Sequence, residues 1–191
     1  MYESLKNILK SFHALSETDI SNGLSCMLTK SFKKNDYLIK EGNTCDWIAF
    51  IHSGITRNYY ISSKGEEVTY CLTFPHKFIT AYSSFIQDEK TFENIHALSD
   101  VEALFLYKRD YQKLIKSSTA WLAFSNYFAE QSYVLMENRL LAIQMESAER
   151  RYRNLMQNNP EYIKQVPLKY IASYLGISQR HLSRLRKQVY F

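Results

Sequence analysis

Residues 168–187 read LKYIASYLGISQRHLSRLRK, and this stretch contains the strongest structural signal in the sequence. Its apolar positions recur at helical spacing on both sides of one glycine, Gly176, which predicts two short helices joined by a tight turn. Gly176 can adopt the left-handed backbone conformation that such a reversal needs, and Ser178 can cap the second helix. Ala172 is small enough to let the two helices cross closely. The pattern predicts a helix-turn-helix whose second helix suits the major groove of DNA.

The second helix is expected to bury Leu182 and Leu185 and to expose its polar side chains. Arginine can make bidentate hydrogen bonds with guanine, glutamine can do so with adenine, and serine can bind a phosphate or a base edge. Backbone amides at the start of the helix can hold phosphates and fix the docking angle. The predicted DNA-contacting residues are Lys169, Ser178, Gln179, Arg180, Ser183, Arg184 and Lys187. The alternative is a two-helix packing element with a solvated polar face.

The distribution of charge also favours a polyanionic partner. The 191 residues include 24 Lys and Arg against 19 Asp and Glu, a net charge of +5. Residues 147–191 hold nine basic and two acidic residues, a local charge of +7, which leaves −2 for the rest of the chain. Basic character confined to one end is typical of a module that contacts a polyanion, although a solvated helical surface would show it too.

From Phe32 to Tyr107 the sequence is typical of short strands. Runs of β-branched and aromatic residues, such as WIAFIHSG and VEALFLY, alternate with turn signals, and three of the runs end at a glycine. This spacing predicts an antiparallel sandwich or barrel, with a hairpin turn at SSKGEE. The first 25 or so residues show helical spacing instead, and SETD at Ser16–Asp19 predicts the start of a second short helix.

Between Lys108 and Asn159 the sequence has no Gly and no Pro, which favours long helix. The segment from Thr119 to Met145 would exceed about 35 Å at the usual helical rise. Its apolar band is too wide for one narrow stripe, which predicts burial against its own barrel on one side and a second copy of the chain on the other. A helix buried wholly inside a monomer is the alternative. The residues predicted on the dimer helix face are Phe124, Tyr127, Val134 and Leu141.

The expected fold class is α+β with three parts. Residues 1–117 are expected to form an N-terminal effector-type β-barrel domain, 118–146 a central dimerisation helix, and 147–191 a helix-turn-helix DNA-binding domain. MESAER predicts that the long helix stops and a new one starts behind Ser147, and QNNPEY predicts a turn that contains Pro160.

This order of parts resembles the Crp/Fnr family of bacterial transcription regulators over essentially the whole chain. The most specific likeness is IASYLGISQRHLSRLRK, and Gly42, Gly54 and Gly65 stand where the family's cyclic-nucleotide-binding-type jelly roll has turns. The resemblance implies a jelly roll, a homodimer joined along the central helices, and a winged-helix-like domain that binds a palindromic operator in double-stranded DNA. By resemblance, the base-reading positions are Gln179, Arg180 and Arg184. An unidentified small-molecule effector and RNA polymerase are further candidate partners.

The stretch that matches the family's effector cassette departs from its pattern. FITAYSSFIQDEKTFENIHA, residues 78–97, has no Gly and no Arg, and its only cation, Lys90, is flanked by Glu89 and Glu93. An anionic phosphate would meet no amide nest and a net negative surrounding, so we expect no cyclic nucleotide binding. Apolar residues here could line an effector pocket or simply pack in the core: Tyr82, Phe85, Ile86 and Phe92. Only QVYF follows Lys187, so the wing that often follows the recognition helix is expected to be missing or reduced.

No catalytic, metal or cofactor site is predicted. The chain has no Ser-His-Asp pattern, no HExxH and no GxxxxGK, and its three cysteines are far apart. Iron–sulfur ligation needs clustered cysteines, and the histidines show no spacing typical of haem ligands. No apolar run could span a bilayer, the N-terminal stretch lacks a signal-peptide core, and the cysteines suit a reducing cytoplasm. We therefore expect a cytoplasmic transcription regulator and not an enzyme; the alternative is a ligand-binding or protein-interaction module whose helix-turn-helix is only structural.

Overall fold

The computed structural model describes residues 1–189. The helices are α1 (Tyr2–Ser11), α2 (Glu17–Ser25), α3 (Tyr82–Gln87), α4 (Lys108–Ser117), α5 (Thr119–Met145), α6 (Ala148–Asn158), α7 (Pro160–Gln165), α8 (Leu168–Tyr174) and α9 (Gln179–Val189). The strands are β1 (Leu28–Phe32), β2 (Tyr37–Ile39), β3 (Trp47–Ser53), β4 (Thr56–Ile61), β5 (Glu67–Thr73), β6 (Lys77–Ile79), β7 (Glu93–Ala97) and β8 (Val101–Tyr107). The chain divides into two compact units: Met1–Asn58 with Leu72–Gln131, and Tyr59–Cys71 with the residues from Ser132 onward.

The strands form two four-stranded sheets, in the orders β1-β8-β3-β6 and β2-β7-β4-β5. Strand β8 pairs antiparallel with β1 and β3, and β7 pairs antiparallel with β2. Because side chains alternate along a strand, one face of β3 and β8 points into the space between the sheets. There Ala49, Ile51 and Phe105 pack against Ile39 and Ile95 of the other sheet. The predicted antiparallel sandwich is confirmed, and its core lies in the first unit.

The opposite face of β3 and β8 is also apolar, because helices cover it. Phe50 and Leu104 lie in a second buried cluster with Leu5 and Leu9 of α1 and Trp121 of α5. A strand covered on both faces needs apolar residues at successive positions, which explains continuous runs such as WIAFI. The first turns of α5 therefore belong to the core of the first unit.

Local signals place several of the turns and helix starts. Ser16 caps α2 in a reciprocal capping box with Asp19, and Ser147 Oγ accepts a hydrogen bond from Arg150 N–H at 3.2 Å at the start of α6. The hairpin turn between β4 and β5 is also found where predicted. The prediction that Pro160 lies in a turn is wrong. Pro160 opens α7, where its missing N–H needs no partner, and only Asn159 separates α6 from α7.

Candidate nucleic-acid interface

In the second unit, α8 and α9 form the predicted helix-turn-helix. Gly176 joins them with φ +68°, a conformation that is strained for any residue with a Cβ. Its N–H donates to Ser173 C=O at 3.0 Å, and the N–H of Ile177 donates to Ala172 C=O at 3.0 Å. These bonds satisfy the last carbonyls of α8 and end the helix abruptly. The glycine is thus needed for the reversal that the sequence predicted.

Helix α9 starts at a serine cap and is anchored by two leucines. Ser178 Oγ accepts a hydrogen bond from His181 N–H at 3.2 Å. Leu182 and Leu185 are buried, as are Ile171 and Leu175, which lie in α8 and directly after it. The other face of α9 is exposed and polar, and it carries Gln179, Arg180, Ser183, Arg184 and Lys187. These positions follow the spacing of one helical face, so five of the seven predicted DNA-contacting side chains share one surface.

The two hydroxyl groups among the predicted DNA-contacting residues, those of Ser178 and Ser183, already make hydrogen bonds within the chain. Ser183 Oγ donates to Gln179 C=O at 2.9 Å, so its oxygen is left to accept a hydrogen bond from an amino group on a base edge. Ser178 Oγ serves as the helix cap and keeps its own proton for a further acceptor such as a phosphate oxygen. Lys169 is exposed on α8, with Nζ 4.7 Å from the centroid of the Tyr170 ring. Their contacts with DNA stay predictions.

Two basic residues of α6, Arg151 and Arg153, make contacts within the protein. The Arg151 guanidinium donates to Leu175 C=O at 3.1 and 3.0 Å, and also to Glu146 C=O. It therefore joins the end of α5 to the end of α8, where helix carbonyls lack partners of their own. Arg153 pairs with Glu149 at 2.7 Å. The excess of basic residues counted for 147–191 is thus only partly available to a polyanion. Three of its exposed members, Arg180, Arg184 and Lys187, lie on α9.

Helix α5 exposes large apolar side chains on several sides. Val134 and Leu141 are 44% and 43% exposed, and Tyr127 is half exposed with its ring centroid 5.6 Å from that of Phe12. Further exposed apolar residues of α5 are Leu122, Tyr133, Leu135, Met136, Leu140, Ile143 and Met145. Phe124, by contrast, is partly buried within its own unit, with its ring centroid 5.6 Å from that of Trp121. The predicted dimer face therefore keeps Tyr127, Val134 and Leu141, while Phe124 packs inside its own chain.

The four residues predicted to line an effector pocket differ in exposure. Phe85 is fully buried in the first unit, whereas Ile86 and Phe92 are 52% and 59% exposed. Tyr82 lines an apolar cavity, and burial, together with the nearby Tyr111, raises its pKa. Phe85 and Ile86 differ in exposure because neighbouring residues on the short helix α3 point in different directions.

The cavity beside Tyr82 has a volume of about 40 Å³. Its walls are mainly apolar and aromatic, with no charged side chain among them: Leu9, Met27, Ile48, Phe50, Phe78, Tyr82, Leu106, Tyr111, Trp121, Phe124, Ser125 and Phe128. Even benzene is held in an apolar cavity of roughly 150 Å³. A cavity this small, with no cation in its walls, does not fit an anionic nucleotide.

A buried polar group in the first unit was not foreseen from the sequence. Arg57 and Asn58 of β4 and Glu93 of β7 are almost fully buried. Asn58 Nδ2 donates to Glu93 Oε2 at 2.8 Å. Glu93, which the sequence suggested only as part of a negative surrounding for Lys90, is therefore held inside the fold. The only signal in the sequence was the polar run TRN inside an otherwise apolar strand.

Residues 1–189 contain neither a helix that could span a membrane nor a cluster of metal-ligating side chains. No helix in this range is both long and apolar enough to cross a membrane. Within the same range, no group of three or more His, Cys, Asp or Glu side chains is arranged to hold a metal ion. The predicted missing or reduced wing concerns the last residues, and Tyr190 and Phe191 lie outside the described part of the chain.

Comparisons with known proteins agree with this architecture. Residues 29–118 match the profile of the cyclic nucleotide-binding domain family. No curated protein sequence matches the chain significantly. Among solved structures, FixK2 from Bradyrhizobium japonicum has a TM-score of 0.74 at 14% identity, covering 86% of this chain and 84% of that chain.

Two further structures cover most of both chains. A protein from Eubacterium rectale assigned to the crp/fnr family of transcriptional regulators has a TM-score of 0.71 at 16% identity, over 93% of this chain and 84% of that one. The catabolite activator protein of Thermus thermophilus has a TM-score of 0.58 at 20% identity, over 93% of this chain and 85% of that one. At these identities the likeness is one of fold, and it confirms the jelly roll followed by helices that the sequence predicted.

Proposed function

We propose that this chain, which has the fold of the Crp/Fnr transcription regulators, is a homodimeric regulator that binds double-stranded DNA at specific sequences. The observation that carries the proposal is the exposed face of α9. Arg180 and Arg184 stand on that face, on a helix whose other side is anchored by Leu182 and Leu185. A rigid helix with an exposed row of Arg, Gln and Ser is what major-groove reading requires.

Each part of the surface has a role in this proposal. Arg180 and Arg184 read guanine through paired hydrogen bonds, and Gln179 reads adenine. Ser183 accepts a hydrogen bond, because its own proton is used within α9. Phosphates are held by the start of α9 with Ser178, and by Lys169 of α8 and Lys187 of α9.

A homodimer is supported by the exposed apolar surface of α5. Tyr127, Val134 and Leu141 are spaced by seven residues, and all three are more than two-fifths exposed. A seven-residue apolar repeat is the pattern of two helices packed along each other. Two chains related by a two-fold axis would present two copies of α9, which is the symmetry of a palindromic operator.

Cyclic nucleotides are not part of the proposal. The effector-cassette stretch has no arginine, Glu93 within it is buried against Asn58, and the apolar cavity is about 40 Å³. The chain is therefore proposed to bind its operator without a cyclic nucleotide.

The test is the salt dependence of DNA binding by fluorescence anisotropy, using labelled duplexes of mixed sequence. Contacts with 6–10 phosphates in the dimer would lower the affinity by about 10³–10⁵ between 50 and 200 mM salt. A variant with Arg180→Ala and Arg184→Ala should bind more weakly, because two base-reading side chains are lost. Arg153→Ala is the matched control, because Arg153 is paired with Glu149 on α6. An affinity for DNA that does not change with salt concentration, or that is the same in the double variant, would contradict the proposal.

A further inference from the structure

Strand β5 lies at the end of its sheet, in the order β2-β7-β4-β5. The outer edge of an end strand has no neighbouring strand, so its backbone N–H and C=O groups need other partners. Alternate residues along a strand direct these groups to the same edge. Glu67 and Thr69 of β5 share such an edge, and both belong to the second compact unit together with the helix-turn-helix.

One hydroxyl of the helix-turn-helix binds this edge at two points. Ser173 Oγ accepts a hydrogen bond from Thr69 N–H at 2.8 Å and donates one to Glu67 C=O at 3.1 Å. Ser173 lies on α8, so a single side chain pairs with β5 much as a neighbouring strand would. Thr69 is fully buried, and removing the hydroxyl would therefore leave its N–H without this acceptor in a place that water does not reach.

Arg139 of α5 contacts the same edge and the same helix. Its Nη2 donates to Tyr174 C=O at 2.6 Å and to Thr69 C=O at 3.4 Å, and its guanidinium carbon lies 3.9 Å from the centroid of the Tyr174 ring. Tyr174 is the last residue of α8, so the cation also meets the negative end of that helix. Ser173 and Arg139 thus hold the C-terminal end of α8 against β5.

We propose that Ser173, supported by Arg139, is a positioning residue that docks the helix-turn-helix on the outer edge of β5. The contact uses α8 and leaves the reading face of α9, with Arg180 and Arg184, exposed. The docked arrangement is therefore compatible with DNA binding. A helix-turn-helix released from β5 would have to be ordered again on the operator, which costs affinity. This effect on affinity rests on the proposed function, whereas the docking itself does not.

The first arm of the test needs no DNA. Hydrogen–deuterium exchange is measured on peptides that cover residues 67–71 in the full chain and in Ser173→Ala. We expect about tenfold faster exchange in Ser173→Ala, because a buried N–H loses its acceptor. Ser173→Thr keeps a hydroxyl and should restore slow exchange, and Ser63→Ala removes an exposed serine of the hairpin turn and should change nothing. Unchanged exchange in Ser173→Ala would overturn the docking.

The second arm measures affinity for a selected operator duplex. Ser173→Ala should bind about five- to tenfold more weakly, with the same order of preference among sequences, because the reading residues are intact. Ser173→Thr should recover most of the loss. Faster exchange together with unchanged or tighter DNA binding would overturn the positioning role. A wild-type chain that binds no DNA would refute the proposed function, while the exchange result would still decide whether Ser173 docks α8 on β5.

Discussion

Replacing Val134 and Leu141 with glutamate is the sharpest perturbation of the proposed dimer. Both side chains lie on the seven-residue repeat of α5, and they are 44% and 43% exposed in the single chain. Each substitution removes an apolar group from the expected contact and places a carboxylate there. In a symmetric dimer the four carboxylates would lie close to one another, where like charges repel and desolvation is costly.

The size of the effect follows from the exposed fractions. Burying a whole Val or Leu side chain is worth about 1.5–3 kcal/mol, so burying two-fifths of one is worth about 0.6–1.3 kcal/mol. A dimer contains four such side chains, which together contribute about 2.5–5 kcal/mol. The loss corresponds to a dissociation constant that is higher by roughly 10²–10⁴, before any repulsion between the glutamates is added.

Sedimentation velocity at micromolar concentration measures this directly. The wild type should sediment as a dimer and the double variant as a monomer with the same helical circular dichroism. Met136→Glu with Ile143→Glu is the matched control. These residues are also spaced by seven and are 49% and 43% exposed, but they lie about 200° around α5 from Val134 and Leu141. A monomeric wild type, or a Val134→Glu, Leu141→Glu variant that stays dimeric, would contradict the proposed dimer.

Three further predictions concern single residues. Arg184→Ala should relax discrimination at one operator position and cost roughly 1–3 kcal/mol; equal binding of wild type and variant to every sequence would count against it. Arg151→Ala should lower the free energy of unfolding in urea by about 1.5–3 kcal/mol, because helix carbonyls lose a charged donor, and Arg151→Lys should recover only part of that loss. An Arg151→Ala variant as stable as the wild type would argue against this role of Arg151. Hydrogen bonds from Ser16 and Ser118 hold the pKa of Asp19 below 3.8, so this carboxylate stabilises the fold at neutral pH and the stabilisation is lost as the pH falls through that lowered pKa. Asp19→Asn should therefore lower the melting temperature at pH 7, with the difference closing in acid; a difference independent of pH would be the contrary result.

The features that the sequence predicted well are those with local causes. Gly176 is the residue that can end α8 with positive φ, and Ser178 caps α9 within a single turn. Leu182 and Leu185 define the buried face by helical spacing alone. The same holds for Ser147 at the start of α6. Each signal acts within a few residues, so a single sequence carries it.

The features that the sequence did not predict depend on distant parts of the chain. Ser173 bonds to Thr69, which is 104 residues away, and Arg139 bonds to the same residue across 70. Nothing in YIASYLG indicates that its serine meets a strand edge. Arg151 counts among the basic residues available to DNA when only the sequence is considered, because hydrogen bonds to backbone carbonyls leave no mark in the sequence. Phe85 and Ile86 are both apolar residues of the effector-cassette stretch, yet α3 directs one inward and the other outward.

In vitro selection of random duplex DNA on the purified full-length protein at two salt concentrations would show whether the chain reads DNA as a dimer. We expect an enriched two-fold palindrome with half-sites about 10 base pairs apart, centre to centre, and with binding that weakens steeply at the higher salt. Selection that enriches no sequence, or only one without two-fold symmetry, would contradict a dimer that reads DNA through α9.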